Sequence, residues 1–115
     1  MRNDKENLIV DKSFQFALKI VEYCELLETQ RKYVISRQLL KSGTSIGANV
    51  REAQNAESKA DFIHKIKIAA KEADETEYWL LICKHSSTYP FNEELLENIS
   101  ELIKILSKII STSKS

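Results

Sequence analysis

Glycine and proline are scarce in this chain, which has two glycines and one proline among its 115 residues. This composition favours helix over turn-rich structure. No stretch approaches the roughly 18 consecutive apolar residues of a membrane-spanning helix, so we expect no membrane association. The first residues lack the apolar run and small-residue cleavage site of a secretory signal, and a cytoplasmic location is the expectation that follows.

Cysteine and net charge are also low. Cys24 and Cys83 lie in apolar, helix-periodic segments, where cysteine behaves as a small hydrophobic residue; a disulfide is the alternative, disfavoured in a reducing compartment. The chain has 17 basic and 17 acidic residues, and this balance argues against indiscriminate nucleic-acid binding. The charge is nevertheless polarised, with nine basic and three acidic side chains in residues 29–71 and one basic and eight acidic side chains in residues 72–103.

Four segments carry apolar residues at the spacing of amphipathic helices, at about 7–28, 32–57, 59–86 and 93–110. The connections between them are short, and Pro90 disfavours helix at the residue before it. Short connections make neighbouring helices antiparallel. The sequence therefore predicts an all-α fold, an antiparallel up-down-up-down four-helix bundle that forms one domain over residues 1–115.

The second predicted helix contains two glycines, Gly43 and Gly47, four residues apart. Each costs about 1 kcal/mol relative to alanine inside a helix, so their presence beside other small residues indicates close approach of a neighbouring backbone. A helix break at Gly43 is the alternative. Ser58, followed by Asp61 three residues later, predicts a capped start for helix three, and Asn92 is the predicted cap of helix four.

The first and third predicted helices are apolar on more than one side. Helix one has two neighbouring stripes: Val10, Phe14, Ala17, Leu18, Val21 and Cys24, and beside them Ile9, Phe16, Ile20, Tyr23 and Leu27. A helix apolar on two sides is either central or packed against a second chain. We therefore expect a homo-oligomer, for which Trp79 as a simple cap on the bundle end is the alternative. The candidate interface residues are Ile68, Glu75, Trp79 and Ile82 on helix three and Ile20 and Tyr23 on helix one.

Candidates for catalysis or metal binding are few. Asp61 and His64 have the three-residue spacing of ligands on a bundle helix, but a di-metal centre requires two such motifs and carboxylates from all four helices. Cys83 and His85 lack the second ligand pair of a zinc site. No phosphate-binding loop and no nucleophile elbow are present. We expect a protein that is not an enzyme, with no catalytic residue, no cofactor and no metal.

Basic and small residues follow one face of the second predicted helix. Arg37, Lys41, Thr44, Ala48 and Arg51 recur at three- and four-residue spacing. Such a stripe attracts phosphates, and it equally attracts an acidic patch on a partner subunit, which this chain carries in helix three. The three basic residues are therefore candidates for contact with nucleic acid or with an acidic partner, and simple solvation is the remaining alternative.

Several short segments together carry a family resemblance: residues 45–53 (SIGANVREA), 61–63 (DFI), 68–69 (IA), 71–72 (KE) and 75–80 (ETEYWL). The chain resembles small bacterial four-helix bundle proteins, which include those encoded in intervening sequences of large-subunit ribosomal RNA genes. The accessory proteins of diversity-generating retroelements belong to the same group. The resemblance covers nearly the whole chain.

The resemblance implies an up-down bundle that assembles into a ring, typically a homopentamer, and it does not imply an enzyme. In the retroelement branch the assembly is strongly basic and binds reverse transcriptase and nucleic acid, from which this chain departs by its zero net charge. Glu52, Glu72, Glu75 and Glu77 match signature positions, and we interpret them as structural or interface salt-bridge partners of Arg37 and Arg51. We thus expect a homo-oligomeric interaction or scaffold protein; the alternative is a nucleic-acid-binding accessory protein whose partner is RNA or a reverse transcriptase.

Overall fold

The protein folds into four long helices joined by short connections. A computed structural model describes the backbone of residues 4–113 and the side chains of residues 8–113. The helices form a bundle about 45 Å long and 19 Å across, and no strand occurs within the described residues. This confirms the predicted all-α four-helix bundle. The helices are α1 (Asp4–Thr29), α2 (Tyr33–Ala53), α3 (Lys59–His85) and α4 (Glu93–Ser113).

Contacts between helices show that neighbours run in opposite directions. Between α1 and α2, the Ser36 hydroxyl donates to the Cys24 carbonyl at 3.1 Å, whereas Gly47 lies against Ser13 further down the bundle. Between α2 and α3, Ser42 pairs with Thr76 and Glu52 with Lys65. Between α1 and α4, Lys19 contacts Asn98 and Lys12 contacts Glu101. In each pair the residue number rises along one helix and falls along the other, so the bundle is antiparallel.

The first connection is a tight helix end. The Lys32 amide donates to the Leu27 carbonyl at 2.9 Å, and the Arg31 amide donates to the Glu28 carbonyl at 3.0 Å. These two bonds form a Schellman motif, in which the residue after the helix takes a left-handed conformation that glycine usually supplies. Here that residue is Arg31, with φ of 63°.

The second connection begins earlier than the sequence predicts, because α2 ends at Ala53 rather than near residue 57. The amides of the next residues bond three positions back instead of four, which tightens the last turn and stops the helix. The α3 cap forms: the Ser58 hydroxyl accepts from the Asp61 amide at 3.0 Å, while the Asp61 carboxylate accepts from the Glu57 amide at 3.2 Å. Asn92 caps α4 by accepting from the Glu94 amide at 3.0 Å.

The two glycines bring α1 and α2 together, as predicted from their spacing, and α2 continues through both of them. A Cβ on Gly43 would lie 2.9 Å from Ile20 Cγ2, and a Cβ on Gly47 would lie 3.3 Å from the Ser13 carbonyl oxygen. Both distances are shorter than ordinary van der Waals contact. At Gly43 the backbone of α2 therefore packs against the Ile20 side chain, and at Gly47 it packs against the backbone of α1.

The core takes the second of the two apolar stripes of α1. Its members are buried: Ile9, Phe16, Ile20, Tyr23 and Leu27. Ile20 packs on Gly43, and the Tyr23 hydroxyl donates to the Pro90 carbonyl at 2.7 Å, so both residues belong to the interior of the protomer. This corrects their assignment to an oligomer interface, because their side chains have almost no surface left for a second copy. In the other stripe, Phe14, Leu18 and Val21 lie outside, Val10 and Ala17 are half-buried, and only Cys24 is buried.

Candidate interaction surface

An apolar groove follows the contact between α1 and α2. On the α1 side, Phe14, Leu18 and Val21 are 56%, 47% and 38% exposed. On the α2 side the facing residues are small apart from Arg51, and the groove contains a pocket of about 480 Å³. This pocket is lined by Val10, Asp11, Phe14, Ala17, Thr44, Gly47, Ala48 and Arg51.

The basic side chains of α2 lie along this groove. Arg37, Lys41 and Arg51 are all exposed, and Arg51 forms part of the groove wall. Within residues 8–113, none of the three side chains takes part in an ion pair. The ion pairs of the described protomer instead use Lys12, Lys19, Lys65 and Lys84. The predicted stripe thus lies beside the apolar stripe of α1, with Arg37 and Lys41 toward one end, Arg51 toward the other, and the uncharged Thr44 and Ala48 between them.

The candidate residues of α3 lie at its surface. Ile68, Trp79 and Ile82 are half-buried, and Trp79 packs against the core. Glu75 is exposed, and its carboxylate accepts a hydrogen bond from the Trp79 indole nitrogen at 3.3 Å. These four residues therefore retain surface that a second chain could cover.

Two larger exposed side chains on α3 escaped the sequence analysis. Tyr78 is 59% exposed and Leu81 is 41% exposed, and the Tyr78 ring contacts the Trp79 ring edge-on at 5.5 Å between centroids. Neither belongs to the stripes that helical periodicity identifies on this helix, so spacing alone did not mark them. One stripe is Phe62, Ile66, Ala69, Ala73, Thr76, Leu80 and Cys83, and the other is Ile68, Glu75, Trp79 and Ile82. The signal of Tyr78 and Leu81 in the sequence is their size in a segment that is otherwise acidic.

The acidic residues of the signature segments do not pair with Arg37 or Arg51 inside the protomer. Glu52 instead binds Lys65 of α3, with 3.0 Å between Oε1 and Nζ. Glu52 therefore serves as a structural salt-bridge partner, but of a lysine rather than of the arginines. For the described part of the chain, the arginines remain available to groups outside the protomer.

Comparison with known proteins assigns the chain to a family. The family model of the 23S rRNA-intervening sequence protein matches residues 5–112. The chain belongs to this family. A crystal structure at 1.70 Å of a protein of unknown function from the S23 ribosomal protein family, from Bacteroides thetaiotaomicron, is 46% identical. It superimposes with a TM-score of 0.87 over 93% of this chain and 98% of that one. No curated protein matches the chain.

Membership of the 23S rRNA-intervening sequence family agrees with the fold and leaves the role open. The segment 45–53 that carries the resemblance lies on α2, where Gly47, Ala48 and Arg51 line the groove. Within the described residues, none of the helices combines the length and the apolarity needed to cross a membrane.

Burial lowers the reactivity of the two cysteines in this family member. Desolvation by burial raises the pKa of the Cys24 thiol from 9.0 to about 11, although its hydrogen bond to Ser36 opposes the shift. Burial also raises the pKa of the Cys83 thiol and of the Tyr23 hydroxyl. Because the thiolate is the nucleophile, such cysteines react slowly at neutral pH. No group of three metal-ligating side chains occurs in the part of the chain that the structure describes.

Proposed function

We propose that this chain is a homo-oligomeric helical bundle that acts as an interaction or scaffold protein, with five copies as the number that the family resemblance suggests. The observation that supports it is the apolar stripe of α1 that the filled core leaves outside, where Phe14, Leu18 and Val21 are between 38% and 56% exposed. Contiguous exposed apolar surface on a small protein marks an interaction site.

The size of this stripe shows that it does not act alone. Covering the exposed half of three large apolar side chains contributes roughly 3 kcal/mol, since full burial of one contributes about 1.5–3 kcal/mol. Loss of translational and rotational freedom on association opposes this with at least about 4 kcal/mol. A stable assembly therefore requires further apolar surface, and Ile68, Trp79 and Ile82 of α3 are candidates to supply it together with Glu75.

Sedimentation velocity at micromolar concentration tests the proposal. The wild-type chain is expected to sediment as a species several times its monomer mass of 13.2 kDa. Leu18→Glu introduces a charge into the stripe and is expected to reduce the assembly to monomers. Leu26→Glu is the matched control, because Leu26 is on the same helix and 43% exposed, close to the 47% of Leu18, but it is not part of the stripe. A wild-type chain that remains a 13 kDa monomer would contradict the proposal.

A second candidate function is nucleic-acid binding through Arg37, Lys41 and Arg51, as an accessory to RNA or to a reverse transcriptase. The observation in its favour is that these three side chains are exposed along one face of α2. Three phosphate contacts predict that the logarithm of the affinity falls with the logarithm of salt concentration with a slope of about −2 to −3. Fluorescence anisotropy with labelled RNA and DNA measures this slope, and Arg37→Ala or Lys41→Ala should weaken binding. Absence of binding at low ionic strength would remove this candidate.

A further inference from the structure

The charged side chains of the bundle are divided unequally between its two ends. Glu52 of α2 binds Lys65 of α3, and Lys12 of α1 binds Glu101 of α4, so these four residues lie toward one end. We call this end, which comprises residues 8–15, 46–71 and 98–113, the basic end. It carries eight basic and five acidic side chains, whereas residues 16–45 and 72–97 carry six basic and ten acidic ones.

Four exposed lysines of the basic end lie on two neighbouring helices. Lys84 contacts Glu93 at 2.9 Å where the antiparallel α3 and α4 adjoin, which places residues 67–71 of α3 level with residues 106–110 of α4. None of the four forms an ion pair within the described residues, so their ammonium groups are available to an anion outside the protomer. The four are Lys67 and Lys71 of α3 and Lys104 and Lys108 of α4.

The acidic side chains of the basic end do not neutralise these lysines. Two of the five acids are held in ion pairs by other cations, one caps α3, one lines the groove pocket together with Arg51, and one lies in the connection between α2 and α3. In this order they are Glu52 and Glu101, Asp61, Asp11 and Glu57. The next acids along α3, Glu72 and Asp74, begin the acidic end directly after Lys71.

Stability within the protomer does not explain the order of charges along α3. The helix dipole favours acidic residues near the start of a helix and basic residues near its end. α4 follows this order, with Glu93 and Glu94 in its first turn and its two lysines in the second half. α3 has the reverse order, with lysines in its first half and acids in its second. Antiparallel packing then places the lysines of both helices at one end, where they repel one another unless an anion binds.

The zero net charge of the chain does not prevent an anion from binding there. The bundle is about 45 Å long. Charges farther apart than about 8 Å are largely screened at physiological ionic strength. The acidic end therefore has little effect on an anion at the basic end, and the local excess of positive charge decides what binds.

From these observations, and resting on the proposed self-association, we propose that the four lysines of the basic end bind the phosphate backbone of nucleic acid, separately from the stripe on α2. Lysine is a compact charge on a flexible stem, which suits a chain of phosphates. In a closed ring every copy has the same orientation relative to the symmetry axis, so the basic ends gather on one side. One strand then contacts several copies, and multivalency raises the affinity of contacts that are individually weak.

Two variants that lose the same charge at opposite ends of the bundle provide the test. The basic-end variant combines Lys67→Gln, Lys104→Gln and Lys108→Gln. The comparison variant combines Arg31→Gln, Arg37→Gln and Lys41→Gln, which includes two residues of the α2 stripe. All six positions are exposed. Circular dichroism checks that both variants fold, and sedimentation velocity checks that they assemble as the wild type does.

Fluorescence anisotropy with a labelled single-stranded RNA, and with a DNA of the same sequence, measures affinity at several salt concentrations. The wild type is expected to bind both strands, more tightly as the salt concentration falls, because phosphate contacts release counterions. The basic-end variant is expected to lower the slope of log affinity against log salt by about 2 for each copy that contacts the strand. The comparison variant should keep the slope of the wild type.

Other outcomes overturn the inference in distinguishable ways. If the wild type assembles but binds neither strand at low ionic strength, self-association stands and the basic end is not a nucleic-acid surface. If only the comparison variant loses binding, the α2 stripe is the site instead. Equal losses in both variants would show a dependence on total charge rather than on this surface, and binding of RNA without DNA would contradict recognition through phosphates alone. A monomeric wild type removes both proposals.

Discussion

Substitution of Gly43 by alanine provides a sensitive test of how α1 and α2 pack. The added Cβ would lie 2.9 Å from Ile20 Cγ2 and 3.0 Å from Ile20 Cγ1, about 0.5 Å or more inside the optimal carbon–carbon separation. Ile20 is fully buried and branched at Cβ, so it has little freedom to move away. Overpacking of this kind costs about 1–3 kcal/mol, and the gain in helix propensity offsets about 1 kcal/mol. We expect Gly43→Ala to lower the free energy of unfolding by about 1 kcal/mol.

Gly47→Ala is the matched control, because it makes the same chemical change one turn further along the same helix. There the nearest atom is the Ser13 carbonyl oxygen at 3.3 Å, a milder contact that the gain in propensity offsets, so we expect almost no change. Urea unfolding followed by circular dichroism, at one fixed protein concentration, measures both variants. The combined Gly43→Ala, Ile20→Ala variant should be about 1 kcal/mol more stable than the sum of the single effects, since Ile20→Ala removes both clashing atoms. Additive effects, or a Gly43→Ala variant more stable than wild type, would refute the close-packing account.

Two further predictions concern the helix end and the buried thiols. Arg31→Gly should raise the free energy of unfolding by up to about 1 kcal/mol, because φ of 63° strains a residue with a Cβ; a thermal melt measures the change. Because the pKa of Cys24 is about 11 in the folded state and 9.0 is its usual value, the unfolded thiol loses its proton first as the pH rises. The contribution of Cys24 to the free energy of unfolding is therefore complete below pH 9 and decreases between pH 9 and 11. Cys24→Ala should reduce this dependence on pH, which urea titrations at several pH values measure.

Much of the fold follows from local chemistry that a single sequence displays. The number and order of the helices came from apolar spacing, and the starts of α3 and α4 came from Ser58 and Asn92, whose side chains bind the first free amides. Only the end of α2 was misplaced appreciably, at residue 57 instead of Ala53. Nothing in the residues that follow forbids helix. The helix ends at Ala53 because the amides of residues 54–56 donate to carbonyls three positions earlier instead of four.

The choice between the two stripes of α1 could not be made from the sequence. Both have helical spacing and both contain large apolar residues, so periodicity describes two possible inward faces without ranking them. The choice depends on partners distant in the chain: Gly43 makes room for Ile20, and the Pro90 carbonyl accepts from Tyr23. These contacts turn the second stripe inward, which is why Ile20 and Tyr23 were assigned to the wrong surface.

The candidate surfaces were predictable in part. The basic stripe on α2 was visible because its residues share one helix and one spacing. The position of the stripe beside the exposed face of α1, and at the height of the acidic segment of α3, depends on how three helices are aligned. That alignment is fixed by particular contacts, such as the hydrogen bond between Thr76 and Ser42. The pairing of Glu52 with Lys65 depends on the same alignment and was missed for the same reason.

Gly43 and Gly47 connect the packing of the protomer to the surface that it exposes. They allow α2 to approach α1 so closely that Ile20 meets the α2 backbone, which fills the core on one side of the contact. On the outer side, α2 presents mostly small residues to α1 along the same stretch, with Arg51 as the exception, so Phe14 stays 56% exposed. A residue larger than alanine in the place of either glycine would separate the helices. The exposed groove is therefore a consequence of the same small residues that make the helix pair tight, and stable packing and an uncovered apolar face arise together from one stretch of α2.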